Sequence, residues 1–442
     1  MPKRVVIIGG GFSGLAAGVS LSERGHEVLL LEARAQLGGR AYSFIDSKTG
    51  DTVDNGQHLF MGCYRHTISF LEKIGTIDKL KFQATPRVDF LDRTFGLTSF
   101  DCPDLPAPIN VLMGLFRLKS LTIGDKLRAL NVGKVIRSSA NGVARHGITV
   151  TEWLDSLGQS DRIKERFWYP MAVATLNEKP AIASAQMMSV VLREAFGGSR
   201  QNARIGISSV GLSDLYTHHA KEFIEARGGE VETNALVKSF VIEDGKARAV
   251  VLKDGRRIEA DCFISAVTPQ ALIKLLADDF HDGEFSKLAR LDSSPIVSIN
   301  LWFDRSVIDR EFVGLLGTKS QWLFNKAKIN ANATGSNQIA IIISAAHDFV
   351  GEARDALVEM ALSELRDLIP EARSARLLHS VVVKEREATI SHTVESDDLR
   401  PGPRTSISNL ILAGDWTQTG LPATIESAVM SGNLAAENAI NS

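Results

Sequence analysis

The chain opens on a β-branched run, Arg4–Ile8, that stops at glycines, and residues 12–24 then repeat apolar and small positions at helical spacing. A second apolar run, Glu27–Leu31, follows at once. Strand, helix and strand make a βαβ unit at the N-terminal end. Helices are predicted next over 68–75, Ile123–Ser138, 151–157, 162–167 and 184–196, with an irregular stretch around Pro86, Pro103, Pro106 and Pro108. A helix over 212–227 leads to Gly228-Gly229 and to short strands punctuated by Gly245 and by Asp254-Gly255, a hairpin signal, before a strand over 262–266. Strand-like runs at 296–303 and 339–344 precede a helix at 352–368. The chain then returns to a strand, Leu410–Leu412, a glycine and a helix over 422–440.

This order predicts an α/β protein in which one nucleotide-binding domain is visited three times, at 1–67, 205–285 and 387–442. A second, substrate-binding domain is inserted as 68–204 and 286–386. With 442 residues the chain exceeds one ordinary core, in keeping with two or three domains. A hydrophobic share of 44% against 23% charged is that of a folded globular chain rather than a disordered one. The formal charge of −2 supplies no basic face, so nucleic-acid binding is discarded. Cys63, Cys102 and Cys262 are odd in number, far apart and without CxxC spacing. Neither a disulfide framework nor a metal site is expected from them, and a reducing, cytoplasmic compartment follows. The basic start and the apolar run to Leu21 superficially match a secretory signal, but the glycines inside that run fall where a phosphate-binding turn needs them. No stretch reaches the roughly 18 uninterrupted apolar residues of a membrane span, so any membrane contact is expected to be peripheral.

Gly9-Gly10-Gly11-Phe12-Ser13-Gly14 fits G-x-G-x-x-G between the first strand and its helix. Gly9 permits the tight turn, Gly11 lets a pyrophosphate approach the backbone, and Gly14 lets helix and strand pack closely. The unpaired N–H groups of the helix start, at Phe12 and Ser13, suit a diphosphate. Glu32 ends the second strand, where a carboxylate accepts hydrogen bonds from ribose hydroxyls, and Ala33 and Arg34 beside it belong to the same expected site. Two further elements select FAD over NAD. Gly38-Gly39-Arg40 offers close backbone approach and a guanidinium that offsets diphosphate charge. Gly414-Asp415 places an acid just beyond the last strand, where it can bind a ribityl chain that NAD lacks. Pro422-Ala423-Thr424 begins the final helix, whose N-terminus can face the flavin pyrimidine. The bland alternatives are a packing turn, a surface turn and an ordinary capped helix.

Taken together, these motifs resemble the flavin-containing amine oxidase and phytoene desaturase superfamily. The resemblance implies a Rossmann-like FAD-binding domain of the glutathione-reductase type carrying an inserted α+β substrate domain. Within the superfamily the chain is similar to the hydroxysqualene dehydroxylase group, on Val53-Asp54-Asn55-Gly56-Gln57-His58, Arg166-Phe167-Trp168-Tyr169-Pro170, Leu176-Asn177-Glu178, 298–304 and 384–389. The last of these departs from the group's pattern, because Glu387 separates Arg386 from Ala388. The similarity spans nearly the whole chain. It implies that Val237 contacts adenine through its backbone and that Gly56, Gln57 and His58 lie beside the flavin ring. It also implies a reaction of hopanoid biosynthesis in which the allylic hydroxyl of hydroxysqualene is replaced by hydride from reduced FAD, giving squalene.

Such chemistry needs the reacting carbon held close to the flavin, an acid to protonate the departing hydroxide, and exclusion of water. His58 is the first candidate for that acid or for orienting the substrate, against a histidine simply bonded to backbone. Glu178 is the second, against a solvent-exposed loop carboxylate. Trp168 and Tyr169 are candidates to line an apolar tunnel or steady a cation, against ordinary core aromatics. The segment 105–121 mixes apolar residues with Arg117 and Lys119 and could rest on the inner face of a membrane, against a buried helix. An electron donor of unidentified kind would recharge the flavin. Rival expectations are a desaturase or an amine or porphyrinogen oxidase using oxidised FAD, and an escort protein that binds isoprenoids without redox chemistry.

Overall fold

The computed structural model describes residues 1–138, 146–277, 283–330 and 335–441. The parts of the expected domain spans at 139–145, 278–282, 331–334 and 442 lie outside the described residues. One sheet has five strands in the order Glu230–Glu232, Glu27–Leu31, Arg4–Ile8, Cys262–Ser265, Leu410–Leu412, and every pairing in it is parallel. Val5 to Ile8 are all buried, as expected of a strand covered on both faces. The helices Phe12–Glu23, Leu212–Glu225 and Ile425–Asn441 share one core with one face of this sheet, while the strands Val237–Glu243 and Lys246–Leu252 pack in the core on the other. This is the Rossmann-like nucleotide-binding architecture expected, with helices on one face of the parallel sheet and a small antiparallel sheet on the other.

The N- and C-terminal ends meet inside this unit. A Cβ at Gly432, in the last helix, would lie 2.2 Å from the carbonyl oxygen of Ser13 in the first. Only a residue without a side chain lets the two helices approach so closely.

The other large sheet has seven strands, ordered Leu377–Ile390, Ser293–Phe303, Gln338–Ile343, Trp322–Asn325, Phe312–Leu316, Arg87–Asp92, Gly96–Asp101. Its pairings are antiparallel except that between Phe312–Leu316 and Arg87–Asp92. The helix Arg354–Leu368 shares a core with one face. Two expectations need correcting here. The stretch after Pro86, expected to be irregular, is a hairpin whose turn is held by Asp92, which accepts hydrogen bonds from the N–H groups of Thr94 (2.7 Å) and Phe95 (3.1 Å). The helix expected at 162–167 is one part of a longer helical run, Asp161–Ile163, a π-helical turn Lys164–Trp168, and Tyr169–Leu176. Such turns shift the helix face by one residue and recur beside functional sites.

Candidate active site

A cleft of about 480 Å³ runs between the two sheets, and both ends of the chain contribute to its walls. At one end, Gly9 has φ +107° and a Cβ there would sit 2.8 Å from the Ala266 carbonyl oxygen, so the turn accepts only glycine. A Cβ at Gly14 would lie 1.9 Å from the Gly9 carbonyl oxygen, which is the strand and helix contact expected of that position. Gly11 is different: nothing lies nearer than Gly39 Cα at 3.7 Å, so its open side is the approach to the cleft. The helix Phe12–Glu23 has no side-chain cap at Gly11 and no acid in its first turn. Its first N–H groups therefore present a partial positive charge to an anion. Glu32 is buried and accepts from the N–H groups of Gly10 (2.8 Å) and Arg34 (2.9 Å), fixing the turn. The Tyr216 hydroxyl, 2.9 Å from the Gly38 and 2.8 Å from the Ala41 carbonyl oxygens, holds the second glycine turn, and its ring stacks on Phe12 at 3.6 Å.

From the other end of the sequence, Asp415 reaches the same cleft and pairs with Arg40 at 2.5 Å. Arg40 was expected at a diphosphate and Asp415 at a ribityl chain; here they also bind each other, linking the N- and C-terminal motifs directly. Two residues that sequence reasoning missed shape this end. Arg400 is buried and donates to the carbonyl oxygens of Asp415 (3.0 Å), Thr417 (2.6 Å) and Leu421 (2.8 Å). It clamps the whole turn from Asp415 to Leu421. His392 Nε2 accepts from the Ala423 N–H at 2.6 Å, and burial pushes this imidazole down to about 3, so it stays neutral. Proline following Arg400 is the only local signal, since the carbonyl partners carry no side-chain signature.

Gly56, Gln57 and His58 line the cleft between these two ends. Lys326 is buried and donates to Asp54 (2.7 Å) and to Gln57 Oε1 (2.8 Å), so the substrate-side segment pins this loop. Lys326 is also a residue that sequence reasoning missed, because its partners lie more than two hundred residues away. With Gln57 Oε1 engaged, the amide nitrogen is left as the free end of that side chain. Burial lowers the pKa of His58, against the attraction of Asp54, and among the described residues its Nε2 has no hydrogen-bond partner. A neutral imidazole can hold a hydroxyl group but is not a charged acid at neutral pH. Of the two roles expected for His58, acid or orientation of the substrate, the neutral form favours orientation.

Glu178 is fully buried rather than a solvent-exposed loop carboxylate. It accepts from Ser391 Oγ at 2.5 Å and lies 3.1 Å from His347 Nε2, and it is not among the residues that line the cleft. Its neighbour Asn177 lines the cleft instead, in the left-handed conformation at φ +50°, donating to Ser294 O (3.1 Å) and Thr389 Oγ1 (3.0 Å). Phe12, Ser13, Arg34, Gly38, Gly39, Gly414, Ala423 and Thr424 line the cleft with Gly9, Gly11, Glu32, Arg40 and Asp415. Gly14, Ala33, Val237 and Pro422 do not line it: Gly14 packs under the turn, Ala33 is exposed, Val237 is buried in the second core, and Pro422 lines a neighbouring cavity. Trp168 is a core aromatic whose Nε1 donates to Gln159 at 3.0 Å, whereas Tyr169 lines a cavity.

The chain matches the family model described as flavin containing amine oxidoreductase over residues 12–440. The chain belongs to that family. It is 30% identical over 450 residues to a hydroxysqualene dehydroxylase of Sinorhizobium fredii, covering 100% of this chain and 99% of that one. It is 26% identical over 454 residues to a 15-cis-phytoene desaturase of Glycine max, covering 99% and 79%. Among solved structures, an oxidoreductase from Methanosarcina mazei superposes with a TM-score of 0.76 at 18% identity, covering 98% of this chain and 100% of that one, which is a likeness of fold.

As a flavin containing amine oxidoreductase, the protein is an FAD-dependent oxidoreductase. The residues present fit that group. The open side of Gly11, the uncapped helix start and Arg40 suit a diphosphate, and the carboxylates of Glu32 and Asp415 suit hydroxyls. The same cleft has an apolar stretch of wall, with Ile296, Trp322, Phe324 and Ile342 on adjacent strands. Trp322 and Phe324 are two apart on one strand and so share a face. They form one wall and not a pair that sandwiches a substrate.

Proposed function

We propose that this protein removes the allylic hydroxyl of hydroxysqualene, giving squalene. The observation that carries the reading is the apolar set Ile296, Trp322, Phe324 and Ile342 in the cleft that Gln57 and His58 also line. It suits a long isoprenoid rather than an amine, and a relative that is 30% identical carries the name of that reaction. When bound and reduced, FAD supplies the hydride. The protein's own residues then have two tasks. The neutral His58 ring and the free end of Gln57 hold the leaving hydroxyl, while the apolar wall keeps bulk water from the electron-poor carbon. The balance is one hydride from the reduced flavin and one proton taken up from solvent, one C–O bond broken, one C–H bond formed and one water released.

We further propose that the substrate arrives from a bilayer. Ile109, Met113 and Phe116 are exposed on one face of the helix Ile109–Arg117, and Ile123 and Leu127 are exposed on the next. Exposed Arg117 and Lys119 stand beside them. An apolar face rimmed by cations suits the inner surface of a cytoplasmic membrane. Among the described residues no helix is long and apolar enough to cross one. The electron donor is an external reductant.

Direction is tested by product analysis. Purified protein with hydroxysqualene and a flavin reductant is expected to yield squalene; squalene with an electron acceptor is expected to stay unchanged. Dehydrogenated products in the second reaction, with none in the first, would overturn the proposal in favour of a desaturase.

A further inference from the structure

Two further cavities share walls with the cleft. One, of about 160 Å³, meets it at Trp322 and is walled by Phe90, Tyr169, Val173 and Leu316. The other, of about 340 Å³, meets it at Tyr64, Thr175 and Thr424; Met61, Val190, Val191 and Leu421 give it an apolar side, and Arg193, Glu194 and Glu426 also line it. Each includes residues at the surface: Glu165 and Gly317 for the first, Arg65 and Gly420 for the second. The helix Tyr169–Leu176 borders all three spaces, with Tyr169 and Val173 on the first cavity, Ala174 on the cleft, and Thr175 on both the cleft and the second cavity. The π-helical turn just before it sets which residues face each space.

At the junction with the larger cavity a wall hydroxyl is already engaged within the protein. The Thr175 hydroxyl donates to the Met171 carbonyl oxygen at 2.8 Å. An apolar chain can pass Thr175 without stranding that hydroxyl, and at the other junction it meets the Trp322 ring. A substrate that reacts at one end, such as a primary amine, needs a single space beyond the reaction centre. A chain that reacts in its interior needs room on both sides of the reacting carbon.

We propose that the two side cavities take the two arms of an open-chain isoprenoid alcohol whose hydroxyl lies in mid-chain, one arm passing Trp322 and the other Tyr64. This rests on the dehydroxylation reading and adds to it how the substrate is laid across the flavin and what sets its length. Trp322 and Tyr64 are then residues that determine specificity.

The test uses hydrocarbons that bind without reacting, read by perturbation of the visible spectrum of the FAD-loaded protein. Squalene is compared with twenty-carbon and fifteen-carbon open-chain isoprenoids on the wild-type protein. Each isoprene unit lost from an occupied arm is expected to weaken binding about tenfold or more. Val173→Phe and Val191→Phe, which each narrow one side cavity, are expected to weaken squalene binding about tenfold while FAD content is unchanged. A fifteen-carbon chain that binds as tightly as squalene overturns the two-armed site. So does either substituted protein that keeps the wild-type affinity for squalene. The length series needs no variant, so a substitution that fails to fold does not block the test. Length-dependent squalene binding without turnover of hydroxysqualene would overturn the proposed reaction and leave the two-armed site standing.

Discussion

His392 is an imidazole held neutral at the cost of its own protonation. Its folded pKa of about 3 lies below the ordinary 6.5, with burial first and Arg400 second as the causes. Below pH 6.5 the unfolded chain therefore binds a proton that the folded chain refuses. The stability it contributes is complete above that pH and is lost as pH falls toward 3, by about 1.4 kcal/mol per pH unit at most. Urea unfolding at pH 7 and pH 5 is expected to show a smaller loss in His392→Gln than in the wild type; equal losses would mean that the wild-type imidazole is not held neutral. What the sequence shows at this scale are residues whose spacing is itself the signal. Gly9, Gly11, Gly14, Glu32 and Asp415 stand in a local frame of strand, turn and helix that constrains them. Arg400 and Lys326 are silent in sequence because they act on carbonyl oxygens or on side chains far along the chain.

At the scale of elements, the glycine turn separates folding from binding. Gly14→Ala would drive a Cβ to 1.9 Å from a backbone oxygen, and nothing flexible can yield. A loss of about 1–3 kcal/mol or more is expected, seen as a lower melting temperature even without FAD. Gly11 has φ −84° and ψ −173°, which alanine adopts freely, and no atom within 3.4 Å of its Cβ position. Gly11→Ala is therefore expected to fold as the wild type does and yet lose visible flavin on purification; a stable protein with full flavin would contradict the cradle. Long runs with one periodicity, such as Phe12–Glu23 and Ser293–Phe303, are legible in the sequence because one face or both faces are buried throughout. The hairpin Arg87–Asp92 and Gly96–Asp101 is not. Its strands are short, they sit at the end of the sheet, and their turn depends on a carboxylate that looks like any surface acid.

For the whole molecule, the arrangement that matters is the meeting of distant chain segments. Strands from residues near 5, 30, 231, 263 and 411 lie side by side, the first and last helices touch at Gly432 and Ser13, and Arg40 meets Asp415 across the cleft. Motifs at the two ends imply this closure, since each supplies only part of a dinucleotide site. The shape of the cleft's far wall is not implied, because it arises where separate strands and the helix Tyr169–Leu176 converge. The central claim is that both ends of the chain hold a single FAD. Its most direct test is a titration of FAD-stripped protein with FAD, wild type against Asp415→Ala. One FAD per chain is predicted, with binding weakened roughly tenfold to a hundredfold in the variant through loss of hydrogen bonds to a charged group. Wild-type affinity in Asp415→Ala, or a stoichiometry other than one, would contradict it.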